Sequence, residues 1–186
     1  AIQHMGPILK FFRHGDGALA LFHGSAEEDR TLVTETLAAF PGKSKINSTA
    51  PYGNYERLAA GPSLVFIDTG APSPDPFTSE AHAGTLALEF SIGRERLIVN
   101  CGHGISGDWK NASRATAAHS TVTLGNFNSS EILPSGLGSR PKNVTVKRHE
   151  VDGNAWLDAE HDGYKDRLGF FHRRRVYLAA DGSSLR

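Results

Sequence analysis

The feature that most constrains this chain is an alternating run from Thr85 to Ser91, in which Leu86, Leu88 and Phe90 interleave with Thr85, Ala87 and Glu89. Residues two apart share one face of a strand, so the pattern suits an extended chain and not a helix. Arg96 to Val99 returns after Ile92-Gly93-Arg94-Glu95, which makes the clearest hairpin. The same device recurs. Tyr55 to Ala59 and Ser63 to Asp68 are joined by Ala60-Gly61-Pro62, and Asn143 to Glu150 meets Ala155 to Glu160 about Val151-Asp152-Gly153-Asn154. Ile8 to Arg13 and Ala18 to Phe22 flank His14-Gly15-Asp16-Gly17, whose glycines and aspartate suit a tight turn, so a hairpin is expected there too. Leu168 to Leu178 reads as a last long strand.

One internal helix is expected, from about Glu27 to Phe40, capped by Ser25 with Glu28 at the capping-box offset and stopped by Pro41-Gly42. Parallel βαβ architecture needs a helix between successive strands, and the sequence has none to offer. The expected fold is therefore all-β, an antiparallel β-sandwich with one short helix; alternation alone does not separate a sandwich from a closed barrel. Ile2, Met5, Leu9 and Phe12 keep a helical spacing broken by Gly6-Pro7. Residues 1–10 are thus read as the tail of a preceding helical domain or a linker, and 11–186 as the sandwich. The opening at Ala1 and the stop at Leu185-Arg186 suggest a piece of something longer.

Twenty basic residues balance twenty acidic ones among 186, so the molecule as a whole has no field that would favour nucleic acid or an anionic membrane. Any attraction to a polyanion must be local. Cys101 is the only cysteine, which excludes an internal disulfide and a cysteine-based zinc site. No apolar run approaches the roughly 20 residues of a membrane span.

The chemically richest stretch is Ser113 to Leu124, where Arg114, His119 and hydroxyls precede an alternating run, Thr121 to Leu124, read as a strand. His82, at the start of one expected strand, and Asn100, at the end of the next, converge on it. Two imidazoles and a side-chain oxygen are sound ligands for a divalent metal, although Asn100 is neutral where a carboxylate would offset charge; a hydrogen-bonded histidine pair is the alternative. Arg114 could hold a carboxylate or sulfate in a bidentate fork, or lie on a sheet rim. In His172-Arg173-Arg174-Arg175, alternation sends Arg173 and Arg175 to one face, where Glu160, Asp162 or Asp166 would pair with them. His14, His23, His103, His149 and His161 stand beside glycines or acidic residues and are read as loop histidines.

Arg114 to Val122, together with Ala81-His82-Ala83-Gly84-Thr85-Leu86 and Leu97-Ile98-Val99-Asn100-Cys101-Gly102, resembles the carboxyl-terminal domain of the heparinase II/III family, over about Phe11 to Gly182. The resemblance implies a β-sandwich that works with an α-toroid domain of the same parent chain on an acidic, uronic-acid polysaccharide cleaved by β-elimination, often in the periplasm. It also implies a divalent metal, zinc or calcium, at His82, Asn100 and His119, and Glu80 at the catalytic-histidine position; Arg114, from its own chemistry, is the expected substrate-binding group. Asn100 stands where the family has aspartate, Glu80 where it has histidine, and Gly84 where an aspartate is common. The alternative function is a non-catalytic carbohydrate-binding or structural module.

Overall fold

The computed structural model describes residues 2–39, 46–103 and 107–186, apart from the side chains of 2–5. Two antiparallel sheets form its body. The first has five strands in sequence order: β1 (Thr49–Ala50), β2 (Tyr55–Ala60), β3 (Ser63–Asp68), β4 (Leu88–Ile92) and β5 (Glu95–Ile98). A small two-stranded hairpin, β6 (Ile132–Leu133) and β7 (Gly136–Leu137), precedes the second large sheet, in which β9 (Asn154–His161) lies between β8 (Val144–Val151) and β10 (His172–Leu178). The sheets are open, which settles the sandwich against the barrel.

Alternation does its expected work between the sheets. Leu58, Val65 and Ile67 of the first meet Ala155, Leu157, Val176 and Leu178 of the second in one buried cluster. Burying such side chains contributes roughly 1.5–3 kcal/mol each. The β8–β9 turn carries Asp152 and Gly153 at positive φ, as a two-residue hairpin loop with the right strand twist requires.

The other face of the first sheet is covered as well. Phe11, Ala20 and Phe22 pack onto Leu64, Phe66 and Ala87, so β3 is buried along its whole length. Here the structure corrects the sequence reading: 8–13 is not a strand, because helix α1 (Ile2–Phe11) takes most of it, and only the bridge Arg13–Leu19 survives of the expected hairpin. Pro7 sits inside this helix. Helix α2 (Arg30–Ala38) starts later than expected, since Asp29 is its cap, its Oδ1 accepting from Thr31 N at 2.7 Å, while the Ser25 hydroxyl donates to Phe22 O. Phe40 and the stop signal Pro41-Gly42 lie outside the described residues.

The stretch read as a strand entry is instead helical. Helix α3 (Asp108–Arg114) runs into a single 3-10 turn, Thr116–Ala118, and Leu124 only bridges Phe127. A short helix, α4 (Lys165–Leu168), likewise replaces the start of the last long strand. Among the described residues no helix is long and apolar enough to cross a membrane.

Candidate functional site

Three of the sequence-selected residues do come close in space. His82 lies in the loop before β4, Asn100 just beyond β5, and His119 directly after the 3-10 turn; all three are buried. Backbone bonds hold these segments in place, with Ala83 N donating to Arg114 O and Cys101 N to Ala118 O. His82 Nδ1 and His119 Nε2 share a hydrogen bond of 3.1 Å. Burial, and then the neighbouring His119, push His82 down to about 3; burial, and then His23, push His119 down to about 4. Both rings are therefore neutral at pH 7.

Asn100 belongs to a different network. Its Oδ1 accepts from Ser120 N and Ser120 Oγ at 3.0 and 3.2 Å, and its Nδ2 donates to Glu89 Oε1 at 3.1 Å. Glu89 is fully buried on β4; Oε1 also accepts from Leu21 N and Asn100 N, and Oε2 pairs with His14 Nε2 at 2.9 Å. His14 completes the set through Ser91 Oγ at 2.8 Å. A buried carboxylate is tolerated only when supplied with donors in this way.

This arrangement is a poor fit to zinc or calcium at His82, Asn100 and His119. The amide oxygen of Asn100 is turned to Ser120, and among the described residues no group of three or more histidine, cysteine, aspartate or glutamate side chains could hold a metal ion. Calcium would want six to eight oxygens, whereas the near pair offers two ring nitrogens. Gly84 fits its place sterically, since a Cβ there would lie 3.3 Å from the His119 ring.

Glu80 lies away from this buried pair. Its side chain is 64% exposed and bonded to Lys110 Nζ at 3.1 Å, and that hydrogen bond, with the charge behind it, holds its carboxyl below the usual carboxylate range. Arg114 is 2% exposed and donates to the carbonyls of Ala81, Leu133, Thr78 and Gly136. Those bonds staple α3 to the β6–β7 hairpin and to residues 78–81. In this arrangement the guanidinium is a buried strut, not a rim fork open to a ligand.

Several histidines read as loop residues are structural. His14 is buried against Glu89, and His23 Nε2 meets Asp68 Oδ2 at 2.8 Å, where the Asp68 charge and hydrogen bond outweigh burial and raise the ring's pKa. His161 and His172 face each other across β9 and β10. The alternation of the arginine run holds, but Arg173 pairs with Asp158 rather than with Glu160, Asp162 or Asp166, and Arg174 turns inward to the carbonyls of Leu86 and Ser120. The signal that could have exposed the Glu89 network is Glu89 itself, an acid central to a strand whose neighbours are apolar.

Comparison with known proteins agrees with this framework. A family model described as heparinase II/III-like, C-terminal, matches residues 43–186. FtsZ-localized protein C of Caulobacter vibrioides is 32% identical over 195 residues, covering 100% of this chain and 34% of that protein. The heparan sulfate lyase HepC from Pedobacter heparinus superposes with a TM-score of 0.66 at 17% identity over 92% of this chain and 29% of its own. A heparinase III structure gives 0.66 at 14% identity, over 95% and 32%. At such identities the two lyases share the fold, and the chain spans about a third of the length of each relative. With most of its length matched by the model, the chain belongs to the heparinase II/III-like carboxyl-terminal domain family.

Proposed function

We propose that this domain serves an acidic polysaccharide as a binding and structural module, together with an α-toroid domain of its parent chain, and does not itself furnish the acid/base group of a β-elimination. The observation behind this is the state of Glu80. A general base for this chemistry works best with a pKa near the operating pH, which a carboxyl reaches through burial. Glu80 is exposed, ionised and bound to Lys110, the opposite setting. Arg114, which would have gripped the substrate carboxylate, is consumed by backbone carbonyls.

A lyase reading is favoured by one observation, the His82–His119 pair. It brings two neutral imidazoles together in a fold close to those of two heparan-type lyases, although rings pushed down to about 3 and about 4 are weak bases by the same criterion. The similarity to FtsZ-localized protein C adds a third reading for the whole protein, localisation with the FtsZ that the relative's name carries.

Incubation with heparan sulfate and alginate separates the first two. Saturable binding without the ultraviolet absorbance of an unsaturated uronate is the expected result, for the chain alone and for the longer parent. Absorbance that grows with time, survives Glu80→Gln and disappears in His82→Ala would establish the lyase reading instead.

A further inference from the structure

A cleft opens beside His14, at the edge of the Glu89 network. It has a volume of about 500 Å³ and is lined by Lys10 in the last turn of α1, Arg13 just beyond that helix, Asp16 in the following turn, Arg57 on β2 and Arg94 in the β4–β5 turn. Neutral overall charge thus conceals one concentrated basic place. The cleft is built by a close approach of two turns: a Cβ on Gly15 would collide with the carbonyl oxygen of Gly93, so only glycine lets the 14–17 turn seat against the turn that carries Arg94.

The three arginines here have no carboxylate partner among the described residues. Asp16 is engaged by Arg30 and Arg96, at 3.2 and 3.1 Å. Arg13 spends its donors on Gly17 O and Thr34 Oγ1, and among the described residues no carboxylate pairs with Arg13, Arg57 or Arg94. Arg57 is the informative one. It is half-buried, its Nε is sealed from solvent with no hydrogen-bond partner, and desolvation alone lowers its pKa. A guanidinium drawn out of water without an anion is costly, and a native structure tolerates that where something else completes the site.

We propose that this cleft binds the oxyanion of a sulfate or phosphate ester, with Arg57 and Arg94 supplying charge and Arg13 closing the side nearest α2. A planar carboxylate is matched by one guanidinium fork, whereas arginines arriving from the segment after α1, from β2 and from the β4–β5 turn suit oxygens that point in several directions. The volume exceeds what a bare ion fills and falls within the range of small-ligand pockets, so the ester's attached body is held as well. The glycan reading above is not needed for this: the ester could be carried by a sugar or by another small molecule.

The test is thermal melting and calorimetric titration of the whole chain with inorganic phosphate, inorganic sulfate, glucose 6-phosphate and glucose 6-sulfate, against chloride at equal ionic strength. The esters should raise the melting temperature and bind at least tenfold more tightly than the inorganic ions. Arg57→Met should lose that binding at least tenfold while melting, ligand-free, no lower than the wild type, because it removes an unpaired charge. Arg94→Ala, in an exposed turn that folds without it, should weaken binding several-fold. The proposal is overturned if no oxyanion shifts melting beyond chloride, if the shift is the same in Arg57→Met, or if the inorganic ions bind as tightly as the esters.

Discussion

The molecule contains two buried histidine pairs with nearly the same hydrogen-bond distance, His82–His119 at 3.1 Å and His161–His172 at 3.0 Å, and they are different objects. The second is part of a ladder. His161 and His172 are register partners on β9 and β10, and Gly163 N donates to His161 Nδ1, so the His161 proton sits on Nε2 and is donated to His172 Nδ1. Every atom of that bond is fixed by sheet geometry. The first pair joins two loops, with the His119 side anchored to the Glu89 network through the adjacent Ser120, and with Gly24 so close that a Cβ would come 2.9 Å from His82 Nε2. Two imidazoles in contact are therefore not a site in themselves. The setting decides, and only the loop pair sits where three chain segments meet.

The largest way to sharpen this contrast is Glu89→Ala. It would strand His14, Leu21 N and Asn100 without their acceptor, and breaking one partner of a buried charge network costs about 3–5 kcal/mol. Denaturant unfolding should show that loss. Histidine resonances should show that His82 and His119 are disturbed while His161 and His172 keep their shifts; equal disturbance of both pairs would mean the loop pair is not specially coupled to Glu89.

A middle-sized effect comes from pH. His82, His119, His161 and His172 all have lowered pKa values in the fold, with burial as the first cause in each. Between about 6.5 and about 4 the unfolded chain then binds protons that the folded chain refuses, so stability falls as pH drops through that window. His23 acts the other way: its raised pKa gives stability that is full below about 6.5 and fades as pH rises through its folded value. Four against one makes the domain acid-labile. Replacing either His161 or His172 by Leu should cost about 1–3 kcal/mol, whereas the double Leu variant should cost less than the sum and flatten the acid limb. Additive losses would show that the ladder pair is not a unit.

How much of this was legible follows from where each residue's partners lie. Strands β2 to β5 and β8 to β10 were readable because two-residue alternation is local, except that the run expected from Thr85 becomes a strand only at Leu88, Leu86 standing at positive φ in a turn; the Asp152-Gly153 turn was readable because positive φ selects its residues. The proximity of His82, Asn100 and His119 came from the resemblance and from strand spacing. The hairpin expected at Ile8 to Phe22 failed because helical spacing and turn glycines overlap there, and packing of Phe11 on Phe66 decided for the helix. Arg114 looked like a ligand-binding fork because nothing local announces four carbonyls from two distant segments. Glu89 was hidden by the same limitation: its donors come from residues 14, 21 and 100, and only the fold gathers them.

The smallest effect tests the loop pair from outside. Glu80→Gln removes a charge from an exposed bridge to Lys110, and such solvent-screened bridges commonly contribute nothing measurable. The denaturant midpoint of the variant should coincide with that of the wild type. The His82 and His119 titrations should be unmoved, because burial and not the Glu80 charge sets them. A Glu80→Gln variant that shifted either histidine would tie the rim to the buried pair, and Glu80 would then belong to the same chemical unit as the two rings. An unmoved pair keeps them apart, and leaves the domain with a rim that is solvated, a histidine pair that is neutral, and a Glu89 network that joins the loop pair to the fold.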